Sequence, residues 1–387
     1  MTMTVSSDSR PAQLPLTDVL KTLRTFAAEV DREGRFPAES VDALRSANLF
    51  AAAIPTALGG GGLSLTELAR VARDLGAECA STAMIFVMHQ SQILSIVRHG
   101  GTPTSDALLR RIAADQPLVA SATTEINIGG DVRSSSCAVE YDGDRIHLAK
   151  TAPVISYGEY AEIVLATARR TVDSPPSDQV LVVCQKPDVT LERTSNWDTL
   201  GFRGTCSPGF QLDAVADRSS ILRDNYGEIS SQTMLPVAHV LWASAWLGIA
   251  DAAVSKSRKF VRKAASKSPG ITPPSALRLA ELFVAHEQLV DTVFGAAAKF
   301  EAIADSPEEL GSIGFAVKIN NVKVTASTLV IDIVGKAMQI CGISGYREDG
   351  DFSIGRHLRD AHGSAIMVSN ERILAHNSQL ALLYKGK

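Results

Sequence analysis

Gly342 and Gly345 stand in the segment QICGISGY (339–346), at the end of a long apolar run, and bracket a turn where backbone can approach a ligand with no Cβ in the way. Three further segments gather hydroxyls, glycines, carboxylates and a guanidinium: TTEINIGGD (123–131), KTAPVISYGEYAE (150–162) and WDTLGFRGTCS (197–207). Each alone reads as a polar turn at a strand end. Their fixed order along one chain gives them weight. Other chemistries find less support. The five cysteines, at positions 79, 137, 184, 206 and 341, show no C-x-x-C spacing, so neither a zinc site nor a disulfide framework is expected. His89 has no acidic or thiol partner at metal spacing and reads as a core histidine. The run Gly59 to Gly62 lacks the Lys-Ser or Lys-Thr of a phosphate loop and reads as an interhelical turn.

These segments need elements to position them. Apolar residues recur at helical spacing from Leu16 to Val30, Pro37 opens a second helix to about Ala47, and Ser64 with Glu67 forms a capping box before a third. The small-residue stretch 81–100 completes a helical region. Beyond Leu118 the pattern alternates: Asp142-Gly143 marks a hairpin, and 161–170, 179–186, 189–194 and 209–217 continue as strands. After Asp224 the helical period returns in four long segments, 235–265, 276–304, 313–341 and 366–385, the number a bundle requires. The fold class is therefore α+β, mostly α. An N-terminal α domain (1–118) precedes a β-barrel-like middle domain (119–222) and a C-terminal four-helix bundle (223–387).

Composition bounds the partners. A chain of 387 residues with 45% hydrophobic content buries a large core, and a net charge of −4 offers no basic surface for nucleic acid. The first dozen residues carry no apolar signal region and no stretch reaches the length needed to cross a bilayer, so a cytoplasmic protein without membrane contact is expected.

In order and residue type, the four segments resemble those of the acyl-CoA dehydrogenase superfamily of FAD enzymes, from about residue 15 to the C-terminus. The resemblance implies FAD in a crevice between the β domain and the bundle, touched by a neighbouring subunit, hence a homotetramer. TTEINIGGD stands where the family's T-E-P-x-A-G-S-D element holds the isoalloxazine, which makes Thr123, Thr124 and Asp131 cofactor candidates. The 150–162 segment departs from the family's K-x-W-I-T/S-N pattern by lacking its Trp, and Ile155 and Ser156 keep the apolar-then-hydroxyl pair, with Ser156 on the flavin N5 side. Arg203 and Thr205 match the L-G-x-R-G-S/T element; Arg203 serves either the cofactor or a structural ion pair. Gln339, Gly342 and Gly345 match the Q-x-x-G-G-x-G-Y element that meets the partner subunit's adenosine pyrophosphate, with Ile343 replacing its second glycine. Arg258 or Arg262 either reaches a pyrophosphate or belongs to a solvated helix face.

The resemblance also implies a catalytic Glu seven residues after the triplet Arg-Asp-Ala. Here Arg359, Asp360 and Ala361 are followed at that distance by Val368. The first bundle helix, where a minority of relatives carry the Glu, offers Ala238 and His239 instead. Three readings stay open. Glu371 or Glu348 supplies the carboxylate; or His239 is the base; or no α-proton is removed, and the protein, binding FAD or FMN, uses reduced flavin and dioxygen as a monooxygenase, with His239, Trp242, Trp246, His362, His376 and Asn377 lining its pocket. Superfamily frequency places α,β-dehydrogenation of an acyl thioester first and flavin-dependent hydroxylation second. The partners are then a small-molecule substrate and an electron-transfer protein or flavin reductase.

Overall fold

The computed structural model describes residues 16–126 and 134–384. It opens with helices α1 (Leu16–Glu33), α2 (Ala38–Ser46), α3 (Leu65–Glu78), α4 (Ala80–His99) and α5 (Pro103–Asp115). Helical spacing of apolar residues accounts for α1, which buries Val19, Leu23, Ala27 and Val30. Ser64 and Glu67 exchange side-chain and backbone hydrogen bonds as the expected capping box of α3. The glycine run is a tight interhelical turn, where a Cβ on Gly60 would strike the Ile54 carbonyl. The sequence reading does not anticipate α5, although Thr102 and Ser105 cap it reciprocally and Pro103 fills its first turn.

Among the described residues seven strands follow: β1 (Val119–Ala122), β2 (Glu140–Asp142), β3 (Arg145–Ala152), β4 (Ile163–Arg169), β5 (Gln179–Gln185), β6 (Val189–Arg193) and β7 (Phe210–Asp217). The Asp142-Gly143 hairpin joins β2 to β3, with Gly143 at φ 59°. The β region expected between the two helical domains is present, and its described strands form two sheets, β1-β4-β5 and β2-β3-β7-β6, without closing into a barrel. β4 and β5 are apolar runs buried on both faces, whereas β3 and β7 alternate buried with solvated residues, the pattern of stacked sheets.

The C-terminal region holds α6 (Tyr226–Ile229), α7 (Leu235–Ala265), α8 (Ser275–Ala302), α9 (Pro307–Leu310), α10 (Ile313–Cys341), α11 (Ile343–Tyr346), α12 (Gly355–Ile366) and α13 (Asn370–Leu383). Three of the expected long helices appear as α7, α8 and α10. The fourth, expected over 366–385, begins only at Asn370; α12 ends at Ile366, and residues 367–369 turn between the two helices. Val368 adopts the left-handed conformation there (φ 47°), with no glycine or proline in the sequence to announce the break. A second correction concerns apolar length. By length and composition α4, the stretch Tyr226–Ala265 and α10 suffice to cross a bilayer, but the first two bury 83% of their apolar windows inside the protein.

Candidate functional site

On the β side, the chain leaving β3 is bound to the segment before β7. The Ile155 amide donates to the Pro208 carbonyl (3.0 Å) and the Tyr157 amide to that of Thr205 (2.9 Å), while the Tyr157 hydroxyl donates to Val119 O (3.1 Å). Burial raises the Tyr157 phenol above its usual range. This pairing aligns three hydroxyls. Thr205 Oγ1 lies 2.8 Å from Ser207 Oγ, which donates to Ser156 Oγ at 2.9 Å. Thr205 and Ser207 are buried, whereas Ser156 is half-buried at the end of the chain, so its own O–H is left for an acceptor outside the protein. Thr123 and Thr124 are half-buried, and Thr124 donates to the Val154 carbonyl at 3.2 Å. Asp131 lies outside the described residues. The hydroxyl row fits a flavin's polar edge, whose carbonyls and ring nitrogens need donors once removed from water.

The expected cofactor arginine has other partners. Arg203 Nη1 donates to Asp198 Oδ1 (2.8 Å) and to Thr199 O (2.7 Å), and Nε donates to Asp31 O (2.8 Å), the structural arrangement of the two left open by the sequence. The Arg-Asp-Ala triplet is similarly structural: Arg359 pairs with Asp31 of α1 and with Glu348 (2.8 Å), and Asp360 Oδ1 accepts from the Phe202 amide at 2.7 Å. The Phe202 ring covers Gly363, where a Cβ would strike it. These contacts seat α12 on the 201–207 turn and so fix the junction of sheet and bundle.

On the bundle side, α7 presents His239, Trp242 and Trp246 toward α10. His239 Nδ1 is 3.3 Å from the Ile319 carbonyl, an acceptor only, which places the proton on Nδ1 and a lone pair on the unpartnered Nε2. Burial, reinforced by the charge of Lys323, pulls its pKa down to about 4. The indole N–H groups of Trp242 and Trp246 are also buried without a partner. Asn377 bonds the amides of Asn320 (2.7 Å) and Asn321 (3.0 Å) on α10, whereas His362 is exposed and His376 half-buried. Neither expected carboxylate is poised beside this cluster: Glu371 is exposed in the first turn of α13, and Glu348 is held by Arg359.

The 339–346 segment forms a surface rather than a pocket in the single chain. Gln339 and Gly342 are exposed, Gly345 is buried against Cys341, and Ile343 and Tyr346 are each 73% exposed. Arg258 and Arg262 are exposed on α7.

Sequence reasoning misses two buried lysines. Lys150 donates to Thr167 O (2.8 Å) and Oγ1 (2.7 Å), with Glu125 at 3.8 Å, and burial lowers its pKa to about 8. Glu125 would be raised by burial, but hydrogen bonds from Ser136 and Ser135 and the nearby Lys150 hold it below the ordinary range. Lys323, fully buried, donates to Val368 O and to Asn370 Oδ1, both at 2.7 Å. Lysine inside an amphipathic segment reads as surface, so only tertiary structure exposes either residue's role.

A family model for the acyl-CoA dehydrogenase N-terminal domain matches residues 19–116, and one for the acyl-CoA dehydrogenase C-terminal domain matches residues 227–374. Cyclohex-1-ene-1-carbonyl-CoA dehydrogenase from Geobacter metallireducens is 24% identical over 364 residues, covering 92% of this chain and 93% of its own. FMN-bound TdsC from Paenibacillus sp. A11-2, a dibenzothiophene monooxygenase, superposes with a TM-score of 0.83 at 17% identity, over 96% of this chain and 97% of the other. Nitrososynthase from Micromonospora carbonacea var. africana gives a TM-score of 0.81 at 23% identity, over 95% and 94%. At these identities the structural likeness is one of fold.

Proposed function

The chain belongs to the acyl-CoA dehydrogenase family and is a flavoenzyme of that type; from this premise we propose that it is a flavin-dependent monooxygenase, hydroxylating a small molecule with reduced flavin and dioxygen. The observation that carries the reading is the wall formed by residues 367–369. Removal of an α-proton needs a carboxylate, which the resemblance implies at this turn or on α7; the turn presents Val368, fixed through its carbonyl by Lys323, and α7 presents Ala238 and His239. Glu371 and Glu348 lie exposed or paired elsewhere, and His239 is too weak a base for a carbon acid when burial holds its pKa near 4.

Bound flavin would supply the electrons that activate dioxygen. The chain's own residues bind, orient and exclude water. Thr205, Ser207 and Ser156 present one directed O–H toward the cofactor's polar edge, and Ile155 packs beneath it. Trp242 and Val368 give the opposite wall an apolar surface, backed by the fully buried Trp246, and a dry wall slows loss of reactive oxygen species to water. The Nε2 lone pair of His239 is free to accept a hydrogen bond that orients a substrate hydroxyl or amine, with no net charge buried beforehand.

The test is anaerobic reduction of the holoprotein followed by rapid mixing with oxygen. Two resolved phases of flavin reoxidation are expected; a single phase at the rate of free reduced flavin rules the proposal out. Dehydrogenation of an acyl thioester is the second reading, supported by the alignment of a thioester dehydrogenase over 92% of the chain. It requires anaerobic bleaching of the flavin by at least one of a panel of acyl-CoA thioesters, and its complete absence removes this alternative. Under the first reading the partner is a flavin reductase, under the second an electron acceptor. The exposed Ile343 and Tyr346 beside Gln339 and Gly342 support a second subunit covering that surface, as in a homotetramer acting in the cytoplasm.

A further inference from the structure

Val368 is an anomaly in its own right. A β-branched side chain in the left-handed region crowds its own backbone, and such conformations persist only where the surroundings over-determine them. The surroundings here are unusually specific. Lys323 reaches from α10 to the Val368 carbonyl and the Asn370 side chain, Asn370 Nδ2 donates to Ser327 Oγ at 3.0 Å, and Ser364 Oγ approaches the Ser327 carbonyl at 3.3 Å. Lys323 thus bonds the three-residue turn itself, while Ser327, Ser364 and Asn370 of α10, α12 and α13 are tied to one another around it.

The choice of lysine is costly for a merely structural tie. Lys323 is fully buried, no carboxylate pairs with it among the described residues, and beyond the two oxygens it bonds its charge faces the Trp246 ring, 5.9 Å from Nζ. An amide or hydroxyl could bond one carbonyl with less desolvation. An ammonium group has three donors, enough to grip the Val368 carbonyl and the Asn370 side chain together. Asn370 is the first residue of α13, so the same contact fixes where that helix starts.

We propose that Lys323 is a positioning residue that clamps Val368 in its left-handed turn, and that the Val368 side chain so held is a specificity-determining wall of the flavin crevice. The second clause rests on the monooxygenase reading; the first stands on the bonds alone. Val368 remains 43% exposed although apolar, as expected of a side chain held toward a ligand space rather than into the core. The turn follows directly from α12, whose Asp360 and Gly363 pack against Phe202 at the other edge of the junction.

A double-mutant cycle tests the clamp. K323M lowers the melting temperature of the wild-type chain, and because glycine adopts the left-handed conformation freely, the loss is at least halved in the V368G background. Equal losses in both backgrounds overturn the clamp. Should K323M alone fail to fold, recovery of soluble protein in the double variant supports it and failure of both overturns it. The wall is tested separately with FMN and FAD as probes. V368E places a carboxylate on the turn, so the visible band of the bound flavin becomes pH-dependent across the carboxylate range and flavin affinity falls about tenfold. An unchanged spectrum and affinity overturn the wall. If neither flavin binds the wild-type chain the wall proposal falls with the functional reading, and the melting cycle still decides the clamp.

Discussion

The Phe202 amide donates to Asp360 Oδ1 at 2.7 Å, joining the turn that leads to Ser207 to the helix that leads to Val368 by one buried hydrogen bond. Both walls of the candidate crevice are thus referenced to a single contact. Burial raises Asp360 from the ordinary 3.8 to about 6, outweighing the Phe202 bond and the nearby arginines.

That shift carries a sign. Between these values the folded chain holds a proton on Asp360 that the unfolded chain has released, so the site's contribution to stability is complete below 3.8 and lost as pH rises through about 6. The difference is on the order of 3 kcal/mol. Asparagine keeps the acceptor oxygen and cannot ionise. D360N should therefore melt higher than the wild type near pH 7.5, with the gain vanishing near pH 4. A variant that is less stable at the higher pH would show that Asp360 is charged and stabilising in the folded protein.

Ser156 gives the second prediction. Its hydroxyl accepts from Ser207 and has its own proton to give, so S156A removes an outward donor while the Ser207 proton can turn to the Thr205 carbonyl, 3.3 Å from its Oγ. Flavin affinity should fall by about tenfold, or ~1.4 kcal/mol, with little change in melting temperature of the flavin-free chain. Fluorescence titration with FMN and FAD checks it. Undiminished affinity would place the flavin edge elsewhere.

Glu125 gives the third. Its carboxylate accepts from Ser135 Oγ (2.8 Å), the Cys137 amide (2.9 Å) and the Ser136 amide (3.2 Å), with Lys150 nearby. Truncation in E125A leaves these donors and a buried ammonium without their acceptor, at a cost of about 3 kcal/mol in denaturant unfolding. K150M removes the charge together with its desolvation penalty and should cost less. If K150M proves the more damaging of the two, the ion pair outweighs the hydrogen bonds.

How much of this was legible beforehand depended on the range of the interaction. Ser64 and Glu67, or Asp142 and Gly143, act within a few residues, and the sequence shows them directly. The alternation that marked β3 and β7 was equally local, but whether such strands close on themselves depends on partners far along the chain, and the described strands form two sheets. The break at Val368 has no local signal at all, because it is imposed by Lys323 from 45 residues away. For the candidate site, motif order singled out Ser156 and Thr205, and the structure links their hydroxyls through Ser207. It left open whether Arg203 meets the cofactor or an ion pair and could not name Asp198 and Asp31, since an arginine's partners are set by tertiary packing.

His239 separates the functional readings by pH. Burial depresses its pKa to about 4, with Lys323 adding to the effect and the Ile319 bond opposing it, so the ring is neutral over the whole working range. Its contribution to stability is then complete above 6.5 and lost as pH falls through about 4. Wild type minus H239Q, compared in denaturant, should shrink by up to about 3 kcal/mol across that window. A constant difference would mean that the ring is not held neutral. The same neutrality makes the rate of product formation flat between about pH 5 and 8 as far as this residue is concerned, whereas a histidine acting as base with an ordinary pKa would give an inflection near 6.5. H239A should lower hydroxylation by about tenfold or more while flavin affinity is retained, and H239Q, which keeps a donor toward Ile319, should recover part of it. Loss of flavin binding in both variants would instead make His239 a support of the α7–α10 interface, with no part in orienting the substrate.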